Sequence, residues 1–139
     1  MYDTVLFPTD DSEGSERAAE SAIETAVAHG AKLHVLHVVD EDVYNAYSGD
    51  EYVHDKEGLE SALEQEGKEA VEAVADEARS AGAEVVTEVR RGAPHDVILS
   101  YIDEADADLV IMGTKERSGE YRQLLGSVTD RVLRTSSVP

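Results

Sequence analysis

Apolar runs and helical periodicities alternate along the chain. Thr4-Val5-Leu6-Phe7 is a short apolar run closed by Pro8, which reads as a strand followed by a turn. Over residues 12–29, Ala19, Ala22, Ile23, Ala26 and Val27 fall on one helical face. Ser12 or Ser15 is placed to cap its start and Gly30 to stop its end. Residues 32–39 (KLHVLHVV) are β-branched and almost continuously apolar, the pattern of a strand covered on both faces. Residues 40–57 break the pattern: they are acidic, carry Tyr44, Tyr47 and Tyr52, and predict an exposed connection, with disorder favoured over a functional loop; its tyrosines would anchor the loop or, as the lesser reading, cover a ligand. A long helix is predicted over 59–81, with Leu59, Leu63, Ala70, Val74, Ala78 and Ala81 inward, weakened at Gly67 and ended by Gly82.

A third strand follows over 84–89. Arg90-Arg91-Gly92-Ala93-Pro94 reads as a turn, and Pro94 suits the first turn of a helix with Val97, Ile98, Tyr101, Ile102 and Ala105 on one face. Residues 108–112 form the fourth strand, closed by Gly113. A polar loop over 114–125 leads to Gly126-Ser127, which opens a last helix running to about residue 134. The order is β-α-β-α-β-α-β-α without an internal repeat. Strands separated by helices pair in parallel through crossovers. The expected fold is therefore α/β, a doubly wound open parallel sheet in a single domain spanning 1–139.

Composition narrows the function. Of 139 residues, 12 are basic and 31 acidic, a net charge of −19. Such a chain has no cation excess to neutralise phosphate backbones or anionic membranes, so neither nucleic acid nor a membrane is an expected partner. The 41% apolar content is too high for a disordered acidic tail. Without cysteine there are no disulfides, thiolate metal sites or Cys nucleophile. No apolar run approaches the length of a membrane span, and the start, Met1-Tyr2-Asp3-Thr4, lacks signal-peptide character. A soluble cytoplasmic protein is expected. Self-repulsion among the spread acids would strain the compact state in ordinary salt and be screened in molar salt, which suggests a salt-loaded cytoplasm. An acidic protein with Glu-rich exposed helices is the alternative.

Open α/β sheets take ligands beyond the carboxyl ends of their strands. Pro8-Thr9-Asp10, Val38-Val39-Asp40 and residues 113–127 all fall there. The last stands out by charge. Residues 113–134 hold five basic groups (Lys115, Arg117, Arg122, Arg131, Arg134) against Glu116, Glu120 and Asp130, a net of +2, whereas residues 1–112 hold seven basic and 28 acidic groups, a net of −21. A glycine-bearing loop (Gly113, Gly119, Gly126) feeding a helix at Ser127 offers free N–H groups and the positive end of a dipole, and the Ser127 and Thr129 hydroxyls could donate to phosphate. Turns and surface ion pairs are the plainer use of the same residues. Asp10 suits either a ribose or base contact or the N-terminus of a helix.

Catalytic and metal motifs are lacking. There is no phosphate-binding G-x-x-x-x-G-K-[ST] loop, no G-x-G-x-x-G after the first strand and no G-x-S-x-G elbow. His34 and His37 are three apart in a strand, so they point to opposite faces and cannot share a metal; packing or polar contacts in the sheet are their expected role. No His pair has zinc spacing, and no acid pair stands out as general acid and base.

The segments VLFPTDDSEGSERA and LHVV, the Gly92-x-Pro94 turn and IMGTKERSGEYRQLLGSVTDRVLRTSSVP occur in order. Together they resemble the universal stress protein family over nearly the whole chain. The resemblance implies a Rossmann-like, adenine-nucleotide-binding sheet of order 3-2-1-4, a cytoplasmic stress-response role and a homodimer. Some members bind ATP and others do not. Those that do match this chain at Pro8, Thr9 and Asp10 after the first strand, at Val38 after the second, and at Met112, Gly113, Gly126, Ser127, Val128 and Thr129 around the fourth. Asp10 would then hold the ribose or base edge, Val38 and Met112 would pack on adenine, and Gly113, Gly126, Ser127 and Thr129 would receive the phosphates of ATP, with magnesium as an accompanying ion. With the acid excess, the resemblance suggests a halophilic archaeon as the source.

Two positions depart from the family pattern. Its middle glycine is Glu116 here. A carboxylate about 4 Å from a phosphate costs roughly 4 kcal/mol at an effective dielectric of about 20. Lys115, Arg117 or a divalent cation could offset it. The alternative function is therefore a dimeric interaction module that binds no nucleotide. The sequence also stops at Pro139, where the family usually continues into a fifth edge strand, so the fourth strand's edge is expected to be bare unless a partner chain covers it or the sequence is a truncated form, and the family's usual dimer contact is put in question. No dedicated catalysis is expected, although slow ATP hydrolysis or autophosphorylation stays open.

Overall fold

A computed structural model describes residues 1–9, 13–40, 56–113, 128–129 and 131–139, with the side chains of the first two helices described from residues 16 and 61 onward. The elements run β1 (Thr4–Pro8), α1 (Glu13–His29), β2 (Lys32–Asp40), α2 (Lys56–Ser80), β3 (Glu84–Gly92), α3 (Pro94–Ala105) and β4 (Leu109–Val110), and residues 131–135 are again helical. The strands form one parallel sheet in the order β3-β2-β1-β4. Thr4 pairs with Lys32, Lys32 with Glu84, and Val5 with Leu109. Fold class and strand order are those expected.

The period-2 alternation of the buried strands divides the core. Val5, Phe7, Leu33 and Val35 face α1 and α2, where Ala19, Ala22, Ile23, Ala26, Val71 and Ala78 meet them. Leu6 and Leu36 face the other way, onto Ile98, Tyr101 and Ile102 of α3 and onto Val132. Phe7, Leu6, Leu33 and Leu36 are wholly buried, each contributing about 2–3 kcal/mol of transfer free energy.

The three helices close alike. Gly30, Gly82 and Asp106 take φ of +63°, +92° and +52°. In each case the next N–H bonds back into the last turn: Ala31 to Ala26 O, Ala83 to Ala78 O and Ala107 to Ile102 O, at 2.9, 2.9 and 3.0 Å. This left-handed closure satisfies orphan carbonyls and turns the chain directly toward the next strand. Gly30 and Gly82 were legible as stops; Asp106 achieves the same geometry without glycine.

Several boundaries and burials differ from expectation. β3 continues through Arg90 and Arg91 to Gly92 instead of turning at Arg90, because Val38, Val39 and Asp40 extend the ladder. β4 is shorter than expected, although the Ile111 N–H still reaches Leu6 O at 2.9 Å. Val27, expected inward, is 46% exposed, and Ala81 lies outside the core beyond the end of α2. Gly67 does not interrupt α2. The expected bare edge of β4 is met by the chain's own end, where the Val110 N–H donates to Pro139 O at 2.8 Å. Of the expected connection over 40–57, Asp40 instead ends β2 and residues 56 and 57 open α2; its residues 41–55 with the tyrosines, the possible cap at Ser12 and the expected loop over 114–125 lie outside the described residues, as do the side chains of Ser15 and Leu59.

Asp108 fastens the start of the sheet. Its carboxylate accepts the backbone N–H groups of Asp3 (2.9 Å) and Thr4 (3.0 Å). The Asp3 hydrogen bond foremost, with that from Thr4, holds the carboxyl below its ordinary value. Stability from a depressed carboxyl is present above its unfolded-state pKa and lost as pH falls through the folded one. Asp108→Ala is expected to cost about 1 kcal/mol near neutrality, and its urea midpoint should converge with wild type as the pH drops through the carboxylate range. Parallel pH dependences would show that these two bonds contribute nothing.

Candidate functional site

The carboxyl ends of β1, β2 and β4 open on the same end of the sheet, as parallel pairing requires. Val38, Met112 and Val128 come from β2, from the segment after β4 and from the start of the final helical region. All three pack on the one core cluster formed by Leu6, Leu36 and α3. Residues separated by more than seventy positions in sequence therefore contribute to a single apolar cluster. Its chemistry suits the face of a planar, weakly polar ring.

Gly113 and Thr129, each next in sequence to one of these apolar residues, meet. Both are buried, and the Thr129 hydroxyl donates to the Gly113 carbonyl at 3.2 Å. That proton was expected to serve a phosphate. Here it ties the end of the β4 segment to the last helical region. Asp10, Gly126 and Ser127 lie outside the described residues, as does Glu116.

Pro8 ends β1 and Thr9 follows it, 7% exposed. The Thr9 peptide is held on both sides. Its N–H donates to Leu36 O at 2.8 Å. Its carbonyl lies 3.0 Å from His37 Nδ1; a carbonyl only accepts, so Nδ1 carries the proton. The position of His37 follows from the pleat: Leu36 and Val38 face α3, and His37 faces α2. There the α2 backbone passes directly over the imidazole at Gly67. A Cβ at residue 67 would stand 2.6 Å from His37 Cδ2 and 3.2 Å from Val89 Cγ1. Sequence reading saw Gly67 only as a weak point in a helix. A glycine on the buried face of a long helix is the one local signal of this close approach.

His34 takes the opposite face, as its spacing from His37 predicts. Its Nδ1 lies 2.8 Å from the buried Tyr101 hydroxyl. Burial first, and Lys32 second, push this imidazole below its ordinary value against the pull of Glu88. Burial pushes the Tyr101 phenol up. The Arg90 guanidinium stacks 4.7 Å over the Tyr101 ring and pairs with Glu104 and, at 3.8 Å, with Glu88. Its hydrogen bond to Glu104 raises its already high pKa. Arg90 is in register with Val38 on β2, so this cluster walls the apolar surface on the β3 side. Among the described residues, no three His, Asp or Glu side chains group to hold a metal ion.

The comparisons with known proteins bear on this geometry. The profile of the universal stress protein family matches residues 1–139. The chain belongs to the universal stress protein family. Universal stress protein MJ0531 of Methanocaldococcus jannaschii is 33% identical over 139 residues, covering 100% of this chain and 80% of its own length. MJ0577 from the same archaeon is 29% identical. Its solved structure superposes with a TM-score of 0.83, covering 100% of this chain and 93% of the other. A universal stress protein solved in complex with cAMP is 29% identical, with a TM-score of 0.68 over 99% of this chain and 92% of its own. No helix among the described residues is long and apolar enough to cross a membrane.

Proposed function

We propose that this universal stress protein binds an adenine nucleotide across the carboxyl ends of β1, β2 and β4. On this reading it is a cytoplasmic, regulatory or protective homodimer of the stress response in a high-salt cell, without dedicated catalysis. The observation that carries the reading is the convergence of Val38, Met112 and Val128 on one apolar cluster, together with the buried Gly113–Thr129 contact. A planar base buries its face on such a surface, and Gly113 presents no side chain to a sugar or phosphate. The cAMP complex of a relative supports adenine as the base.

ATP would place its base there and its phosphates toward Gly126 and Ser127, with Asp10 on the ribose. Magnesium would accompany the phosphates as their counter-ion. One feature favours the second reading, an interaction module without nucleotide. Glu116 stands at the position where the family motif has glycine.

Calorimetric titration of ATP and magnesium into the protein in molar KCl tests the proposal. Saturable binding at or below millimolar nucleotide is expected, with cAMP competing for the same site. No binding up to millimolar ATP would overturn it in favour of the interaction module.

A further inference from the structure

We infer that His37 is a positioning residue for the nucleotide site, holding Thr9 at the carboxyl end of β1 in its binding-competent orientation through its Nδ1 hydrogen bond to the Thr9 carbonyl. The inference rests on the nucleotide reading above and adds to it a residue that no ligand would touch.

Three observations carry it. First, Leu36 and His37 clamp the residue that follows β1: Leu36 O takes the Thr9 N–H at 2.8 Å, and His37 Nδ1 donates to the Thr9 carbonyl at 3.0 Å. Because the peptide unit is planar, orienting that carbonyl sets the direction in which the chain leaves Thr9. Second, the next strand residue, Val38, belongs to the apolar surface of the site. One stretch of β2 thus supplies both a wall of the site and the clamp on its neighbouring turn. Third, the imidazole cannot retreat from the clamp toward α2. Gly67 brings the α2 backbone against its far edge, and even one methyl there would stand 2.6 Å from Cδ2. The glycine is required by the ring, and the ring is aimed by the glycine.

A side chain that only filled space would be replaceable by any residue of its size. A positioning donor is not. Asn and Leu are nearly isosteric, but only Asn carries an N–H donor at the branch where histidine has Nδ1. His37→Leu is therefore expected to weaken ATP binding about tenfold, the consequence of one lost hydrogen bond. His37→Asn should stay within about threefold of wild type, with circular dichroism showing both variants folded.

Nitrogen NMR of the wild-type imidazole gives a reading that needs no variant to fold. The neutral ring should carry its proton on Nδ1, and a proton on Nε2 alone would overturn the clamp. Wild-type affinity in the Leu variant, or equal losses in Leu and Asn, would reduce His37 to packing and overturn the inference while the nucleotide reading stands. Absence of ATP binding by wild type itself would remove the nucleotide reading and this inference with it.

Discussion

In about 0.1 M KCl the protein is expected to melt about 10 °C or more below its midpoint in molar KCl. The charge is not merely large; the described helices place it where it repels. Glu16, Glu20 and Glu24 form an exposed ladder on α1 at four-residue spacing, and Glu66, Glu69, Glu72 and Asp76 do the same on α2 at three and four. Each like-charged neighbour costs about 0.2–0.5 kcal/mol, so these pairs together remove about 1–2.5 kcal/mol. Arg79 offsets only the end of the α2 row, reaching Glu72 at 3.5 Å and Asp76 at 3.6 Å. The remainder of the −19 adds a longer-ranged repulsion. Neighbours on a helix lie about 5–6 Å apart, inside the Debye length of about 10 Å at 0.1 M and outside that of about 3 Å at 1 M. Against a total stability of about 5–15 kcal/mol, a change of 2–3 kcal/mol moves the midpoint of a domain this size by about 10 °C. Melts followed by circular dichroism across a KCl series provide the check. Glu20→Lys turns two repulsions into attractions and should raise the midpoint in low salt but not in molar salt. A midpoint independent of KCl would show that the acids are solvated well enough to cost nothing.

What the sequence made legible and what it hid divide along physical lines. The alternation of strands and helices could be expected because buried parallel strands read as continuous apolar runs and their connecting helices as periodic ones, whereas the strand order came from the resemblance to the family. Val5 to Phe7 and Leu33 to Leu36 needed no tertiary knowledge to be placed in a core. Arg90 and Arg91 misled because two charges before a glycine look like a turn. Their strand conformation is decided by pairing with Val38 and Val39 and by the partners Glu104 and Tyr101, which stand elsewhere in the chain. Asp108 read only as the start of a strand, since its partners Asp3 and Thr4 lie more than a hundred residues away.

Gly67 is the sharpest case. Local propensity counts it as a defect, whereas contact with the His37 ring makes it a requirement. At the candidate site, Val38, Met112, Gly113, Val128 and Thr129 were named through the resemblance to the family. The use of the Thr129 hydroxyl on Gly113 and the clamp on Thr9 were not, because each is a contact between elements and leaves no periodic trace.

Glu116→Gly is expected to tighten ATP binding by at least tenfold, with an upper bound near a thousandfold. Motif spacing sets this residue where the family has glycine in its phosphate loop, and its carboxylate would face the ligand's charge. At about 4 Å and an effective dielectric of about 20, one such contact costs roughly 4 kcal/mol, which is about three powers of ten in affinity. Solvent, salt and the flanking Lys115 and Arg117 reduce that figure, hence the lower bound. Repulsion also scales with the charge it opposes. The gain should therefore be greatest for ATP, smaller for ADP and least for AMP, whereas a gain from shape alone would be similar for all three. By the same argument, wild-type protein should discriminate against ATP relative to AMP more than the glycine variant does, and more strongly in low salt than in high. Titrations of the three nucleotides into both proteins, at two KCl concentrations that keep each folded, separate the possibilities. Equal gains across the series would assign the effect to the side chain's bulk. No gain, with tight wild-type binding, would place the carboxylate away from the phosphates. Binding by the variant alone would identify Glu116 as the residue that closes the site, and the natural protein as an interaction module.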